Sequence, residues 1–175
     1  LFRSTEWLAD TTGAYCWYEN TIKYKEHYGA LYNWYAVDNA STLPYFENYL
    51  GVQSAGWRVP TRADYDDLVA GLGGTDDDAG GLSKETGLEH WASPNTGATD
   101  AYGFRARANG NRHVDTEELD VHGFTSLLIY DDRWTSEAVD ADDAHSVYSS
   151  SMFDDFEDWT HEKYGGMAVR CCKTV

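Results

Sequence analysis

Between Asp131 and Lys163, DDRWTSEAVDADDAHSVYSSSMFDDFEDWTHEK, 11 Asp or Glu stand against 2 Arg or Lys, so 33 residues carry a net −9 of the chain's −17. Carboxylates at this density could exchange protons, ligate a cation or accept hydrogen bonds from a partner. Acid/base work needs one pair set apart by its surroundings, and here pairs are too plentiful for any to stand out. EF-hand calcium loops place their ligands at alternate positions, whereas Asp76, Asp77 and Asp78 are contiguous, so Thr75 to Gly81 reads as a turn-rich, solvated acidic loop. His90, His113, His122, His145 and His161 have no nucleophile motif around them, and neither Gly-x-Ser-x-Gly nor a phosphate-cradling glycine-rich loop occurs. Cys16, Cys171 and Cys172 are an odd count that cannot all pair within one chain, without the Cys-x-x-Cys or histidine spacing of a zinc site. Two readings stay open for them: a Cys16 to Cys171 bridge in an extracellular setting, or three free thiols. These patterns call for no catalytic residue and no metal ligand.

Val147, Met152, Phe153, Phe156 and Trp159 interrupt the acid of this segment, which a disordered tail would not need. One reading is a recognition surface of aromatic, hydroxyl and carboxylate groups on a rigid frame. The other is an irregular, solvated sheet edge.

Whatever positions these groups is organised around Gly56 to Gly74, GWRVPTRADYDDLVAGLGG. Thr61 and Asp64 form a capping-box pair, Tyr65, Leu68, Val69 and Leu72 make one apolar stripe, and Gly73 and Gly74 supply a left-handed stop. A helix over Arg62 to Leu72 is predicted, preceded by extended chain because Pro60 forbids helix at Val59. An early strand is expected around Ala14 to Tyr18, extended chain near Tyr28 to Leu31, and a first helix around Asn33 to Asn39. Phe104 to Ala108 alternates as a half-buried strand, Gly123 to Tyr130 reads as a central strand and Met167 to Cys171 as a terminal one. Two helices early, then loops and short strands, make an α+β pattern.

One domain is the natural expectation for 175 residues. A net charge of −17 repels phosphate, which counts against nucleic acid and anionic membrane as partners, and no apolar run reaches the roughly 20 residues of a membrane span. The 13 Tyr and 7 Trp supply stiff amphipathic area, suited either to recognition or to packing a loop-rich core.

YGALYNWYAV from Tyr28 to Val37, GWRVPT from Gly56 to Thr61, Lys84-Glu-Thr-Gly87 with HWASPNTGAT from His90 to Thr99, and Val169-Arg-Cys171 resemble the FISUMP paralogous-domain family. That family is akin to the formylglycine-generating-enzyme branch of the C-type lectin fold. The resemblance runs from about Glu6 to Lys173 and implies two helices with a small twisted, mostly antiparallel sheet, long loops and neighbouring termini. In the same branch are the variable proteins of diversity-generating retroelements, which end in a stretch similar to Gly166-Met-Ala-Val-Arg-Cys171. Their variable segments are rewritten at adenines, chiefly in Asn codons. Asp131, Asp132, Asp142, Asp143, His145, Ser146, Tyr148, Asp154, Asp155 and Gly165 are all reachable in that way, whereas Trp134, Glu137, Trp159 and Lys163 are not.

The resemblance thus implies a non-catalytic scaffold whose residues 131–165 form a variable ligand-binding face. Its candidate contacts are the Asp and His145, Ser146 and Tyr148 positions above, with Arg133, Phe156, Trp159 and Tyr164. The implied partner is a protein or surface ligand of another cell or particle, met by a monomer displayed on a cell surface or virus particle. An undiversified adhesion module is one alternative. A thiol-dependent oxidase is the other, although adjacent Cys171 and Cys172 lack the spaced cysteine pair of the formylglycine-generating enzyme. Ser93-Pro94-Asn95 lacks the leading acid of calcium-dependent sugar-binding lectins and no Trp-Asn-Asp occurs, so calcium-mediated sugar binding is not expected. No cofactor is implied, with room left for a structural calcium.

Overall fold

The computed structural model describes residues 4–38, 56–113 and 123–173. In chain order these form α1 (Ser4–Ala9), β1 (Tyr15–Cys16), α2 (Lys25–Tyr28), β2 (Leu31–Tyr32), α3 (Trp34–Asp38), β3 (Trp57–Arg58), α4 (Arg62–Leu72) and α5 (Asp76–Ser83). Strands β4 (Asn109–Arg112), β5 (Phe124–Leu127), β6 (Tyr130–Ala138), β7 (Asp143–Ser150), β8 (Glu157–Glu162) and β9 (Cys172–Lys173) follow. The class is α+β: short helices with several small, unclosed antiparallel sheets, β1-β2, β3-β9, β4-β5 and β6-β7-β8.

Helix α4 keeps its predicted bounds because its ends are chemically determined. The Asp64 carboxylate accepts from the Thr61 N–H at 2.7 Å, and Gly73 closes the helix at φ 73°. Arg58 forks onto the same carboxylate and holds it well below the usual carboxylate range. Tyr65, Val69 and Leu72 are buried against Ala79, Val147 and Phe156, so the apolar stripe docks α4 on the sheet that follows.

The acidic stretch after it is not a loop. Thr75 to Gly81 enters α5, where Asp78 accepts from the Thr75 N–H at 2.6 Å and three aspartates occupy the positively polarised first turn. Gly80 and Gly81, which counted against helix, are needed by packing: a Cβ on Gly80 would lie 1.8 Å from the Asp155 carbonyl oxygen, and the Gly81 N–H donates to the Asp154 carbonyl at 2.9 Å.

The second half is more regular than its composition suggests. Residues 130–162 form an antiparallel meander, with Asp132 opposite Tyr148 and Tyr148 opposite Glu157. The expected central strand Gly123 to Tyr130 is interrupted instead: Phe124–Leu127 pairs with β4, then Ser126 at φ 63° and Leu128 at φ 67° turn the chain before β6 begins. Phe104 to Ala108 contributes a single bridge, Ala106 to Lys84, and the ladder starts at Asn109. Met167 and Ala168 likewise make isolated bridges to Tyr32 and Arg133, and the terminal strand proper is Cys172–Lys173 on Trp57–Arg58. Around Tyr28, helix α2 precedes the extended pair Leu31–Tyr32; the early strand is Tyr15–Cys16; and the first expected helix spans Trp34–Asp38, with Asn39 outside the described residues. Trp7, fully buried, donates its indole N–H to the Tyr164 carbonyl at 2.6 Å, tying the N-terminal helix to the C-terminal stretch.

Candidate ligand-binding pocket

Side chains alternate along a strand, so the meander β6-β7-β8 has two chemically distinct faces. On the inner face Val147 packs with Tyr65 and Phe156 beneath α4. There too the Arg133 guanidinium lies 4.9 Å from the Phe104 ring centre and pairs with Asp131, which also accepts from Asn109 at 2.9 Å. The outer face carries Tyr130 and Asp132 from β6, Tyr148 from β7, and Trp159 and His161 from β8. With Asn111 of β4 and Ser126 of β5 they line an open pocket of about 270 Å³.

Its aromatic wall is a row across three strands. Tyr130 stands 5.6 Å from Tyr148 at 89°, and Trp159 stands 6.4 Å from the other side of Tyr148 at 83°. The Tyr148 hydroxyl donates to Glu157, and burial together with that carboxylate raises the phenol's pKa. Below the rings, Asn111 donates its Nδ2 to Asp132 Oδ2 at 2.6 Å, and the Asp132 N–H donates to Asn109 Oδ1 at 3.1 Å. Burial pushes Asp132 up to about 6, against the Asn111 hydrogen bond and the charge of His113. Burial, aided by His113, pushes His161 down to about 4. Asn111 Oδ1 is buried and accepts no hydrogen bond among the described residues.

Of the candidate contacts from the sequence, the pocket gathers Asp132, Tyr148 and Trp159. Four others are corrected as buried: alternation turns Asp131 and Arg133 inward, Phe156 belongs to the core beneath α4 and α5, and Ser146, on the same face as Tyr148, is covered where it lies between Trp134 and Trp159. Asp142 and Asp143 sit at the β6–β7 turn, where Asp140 accepts both of their N–H groups at 2.8 and 2.9 Å. His145 points away from Tyr148 on β7, Asp154 and Asp155 form the loop packed on Gly80 and Gly81, and Tyr164 offers its carbonyl to Trp7. These do not join the pocket. Tyr130, His161, Asn111 and Ser126 are members the sequence reading missed. Tyr130-x-Asp132 and Trp159-x-His161 carried a period-two signal that could have found the first two. Asn111 and Ser126 arrive only through the β4–β5 pairing.

All three cysteines are unpaired, so the Cys16 to Cys171 bridge does not form. Burial pushes Cys16 up to about 11, with its sulfur 3.7 Å from Arg112 Nη1, and Cys171 likewise to about 11; it also raises Cys172. Among the described residues no group of three or more His, Cys, Asp or Glu is placed to hold a metal ion, and no helix is long and apolar enough to cross a membrane.

No curated protein and no solved structure matches this chain. The model of one family, the Fibrobacter succinogenes major domain (Fib_succ_major), matches residues 3–173, almost the whole length, and the chain belongs to that FISUMP family.

Proposed function

We propose that this domain is a non-catalytic recognition module that binds its ligand in the pocket on the outer face of β6-β7-β8. The observation that carries the reading is the contrast between the pocket's accessible rings and the buried residues that frame them. The inner face holds Val147 in the core, whereas Tyr148 is half-buried and Trp159 is 55 % exposed on the outer face. Tyr148 and Trp159 can therefore change without loss of the fold, which a variable binding face requires, whereas Trp134, on the same face but fully buried, belongs to the frame, since core substitutions cost about 2 to 5 kcal/mol out of a comparable total.

The likeness to retroelement variable proteins of the C-type lectin fold is consistent with this contrast. Asp132 and Tyr148 are of the types an Asn codon can reach, while Trp134 and Trp159 are not, which makes Trp134 part of the buried frame and Trp159 a fixed member of the pocket. We place the module on a cell surface or virus particle, as a monomer meeting a protein or surface ligand. An undiversified adhesion module would use the same pocket. The thiol-oxidase alternative gains no support from the cysteines, whose pKa values are raised by burial.

The double variant Tyr148→Ser/Trp159→Ala, probed on an array of peptides, glycans and lipid head groups, tests the reading. It is expected to lose the wild-type array signal while its Tm shifts by less than about 3 °C. Trp134→Ala and Phe156→Ala should each cost about 3 to 5 kcal/mol. Unfolding of the double variant, or an undiminished array signal, would overturn the assignment.

A further inference from the structure

Resting on the reading of this pocket as a binding site, we infer that its ligand presents a methylated ammonium group, caged by Tyr130, Tyr148 and Trp159. Three rings on adjacent strands stand in a row, the outer two nearly perpendicular to the middle one, at 5.6 and 6.4 Å. A sugar stacks best on one flat aromatic platform. Perpendicular walls instead surround a compact head with electron-rich ring faces, the arrangement that attracts cations whose methyl groups leave them weakly hydrated.

The polar groups agree in sign. Of the pocket's members, Asp132 supplies a carboxylate, Glu157 lies beside Tyr148, and no Lys or Arg is among the described lining residues. With Asp132 at about 6, the floor is mostly anionic at pH 7.5, and His161, at about 4, is neutral there. About 270 Å³ suits a head group and falls below the roughly 300 to 1,000 Å³ of sites that enclose a whole drug-sized molecule. The net charge of −17 adds a field that concentrates cations near the surface.

This chemistry has two sources: choline carried by a lipid or surface polymer, and a methylated lysine side chain of a protein. The experiment follows the Trp159 indole N–H resonance by NMR at pH 7.5 during titration with choline, a trimethyllysine peptide, 3,3-dimethylbutanol as the uncharged isostere of choline, and a panel of mono- and oligosaccharides. Choline or the peptide should shift the resonance saturably while the alcohol binds at least roughly tenfold more weakly; whichever of the two is tighter names the source. Trp159→Ala should weaken ammonium binding roughly tenfold, measured calorimetrically, with Trp159→Phe recovering part of it. Asp132→Asn should weaken it as well, without unfolding. Equal binding of the alcohol, or no ammonium binding, overturns the cage. A saccharide that shifts the resonance when ammonium compounds do not overturns the cage alone and leaves a binding module. Silence from every probe, with an array signal unchanged in the double variant, removes both.

Discussion

Asp132 and His161 line one pocket, and burial moves them in opposite directions, to about 6 and about 4. Between the ordinary carboxylate value of 3.8 and about 6 the folded protein holds a proton on Asp132 that the unfolded chain releases, so this group's contribution falls as pH rises through that window. His161 does the reverse: between about 4 and 6.5 the unfolded chain takes up a proton that the fold refuses, so its contribution is lost as pH falls. The two nearly offset each other from about pH 4 to 6. At about 1.4 kcal/mol per pH unit, the ionised Asp132 costs the fold up to about 3 kcal/mol at neutral pH. Asp132→Asn should therefore stabilise the protein by about 1 to 3 kcal/mol in urea unfolding at pH 7, a gain that disappears by about pH 4. A loss at pH 7, or the same gain at both pH values, would refute the assignment. A carboxylate retained in the pocket at the expense of stability is what a site built for binding, rather than for folding, predicts.

At the scale of elements, α5 shows how packing decides a segment that composition leaves open. Two glycines would weaken an isolated helix by roughly 1 kcal/mol each relative to alanine, yet here they let its backbone rest on the 154–155 loop, which Lys84 holds by donating its Nζ to the carbonyls of Ser150 and Phe153. Gly80→Ala, a helix-favouring change in isolation, should lower stability by about 2 to 3 kcal/mol because its methyl group overlaps the Asp155 carbonyl. Hydrogen exchange at the Gly81 amide, which donates to Asp154, should speed up with it. An unchanged melting temperature would mean that the loop can move away freely. The same helix also sets the entry of β8, since the Phe156 N–H donates to the Asp76 carbonyl at 2.7 Å.

Over the whole molecule the thiols lie away from the pocket, and burial keeps them protonated. At pKa values of about 11 against an ordinary 9.0, Cys16 and Cys171 hold about 100-fold less thiolate at neutral pH than a free cysteine. Thiol labelling of the folded protein at pH 7 should accordingly be slow for both, and should become fast only in denaturant. A rapidly labelled Cys171 or Cys172, with oxygen consumed in the presence of a cysteine-containing peptide, would favour the oxidase alternative.

What the sequence by itself determined was wherever the signal is local. Helix α4 was legible to the residue because Thr61, Asp64, the Tyr65 to Leu72 stripe and Gly73 act within a few positions of one another. The family motifs were legible for the same reason, as was the α+β class. The tertiary structure decided the rest. Nothing local distinguishes Asp131 from Asp132, yet a period of two sends one into a buried pair with Arg133 and the other to the pocket floor. Acid along residues 130–162 obscured a regular meander because the buried Asp131 and Asp132 accept from Asn109 and Asn111, about 20 positions earlier in the chain. The pocket exists only where five strands from distant parts of the sequence converge, and its chemistry follows from burial and ring geometry, quantities that no single residue carries alone.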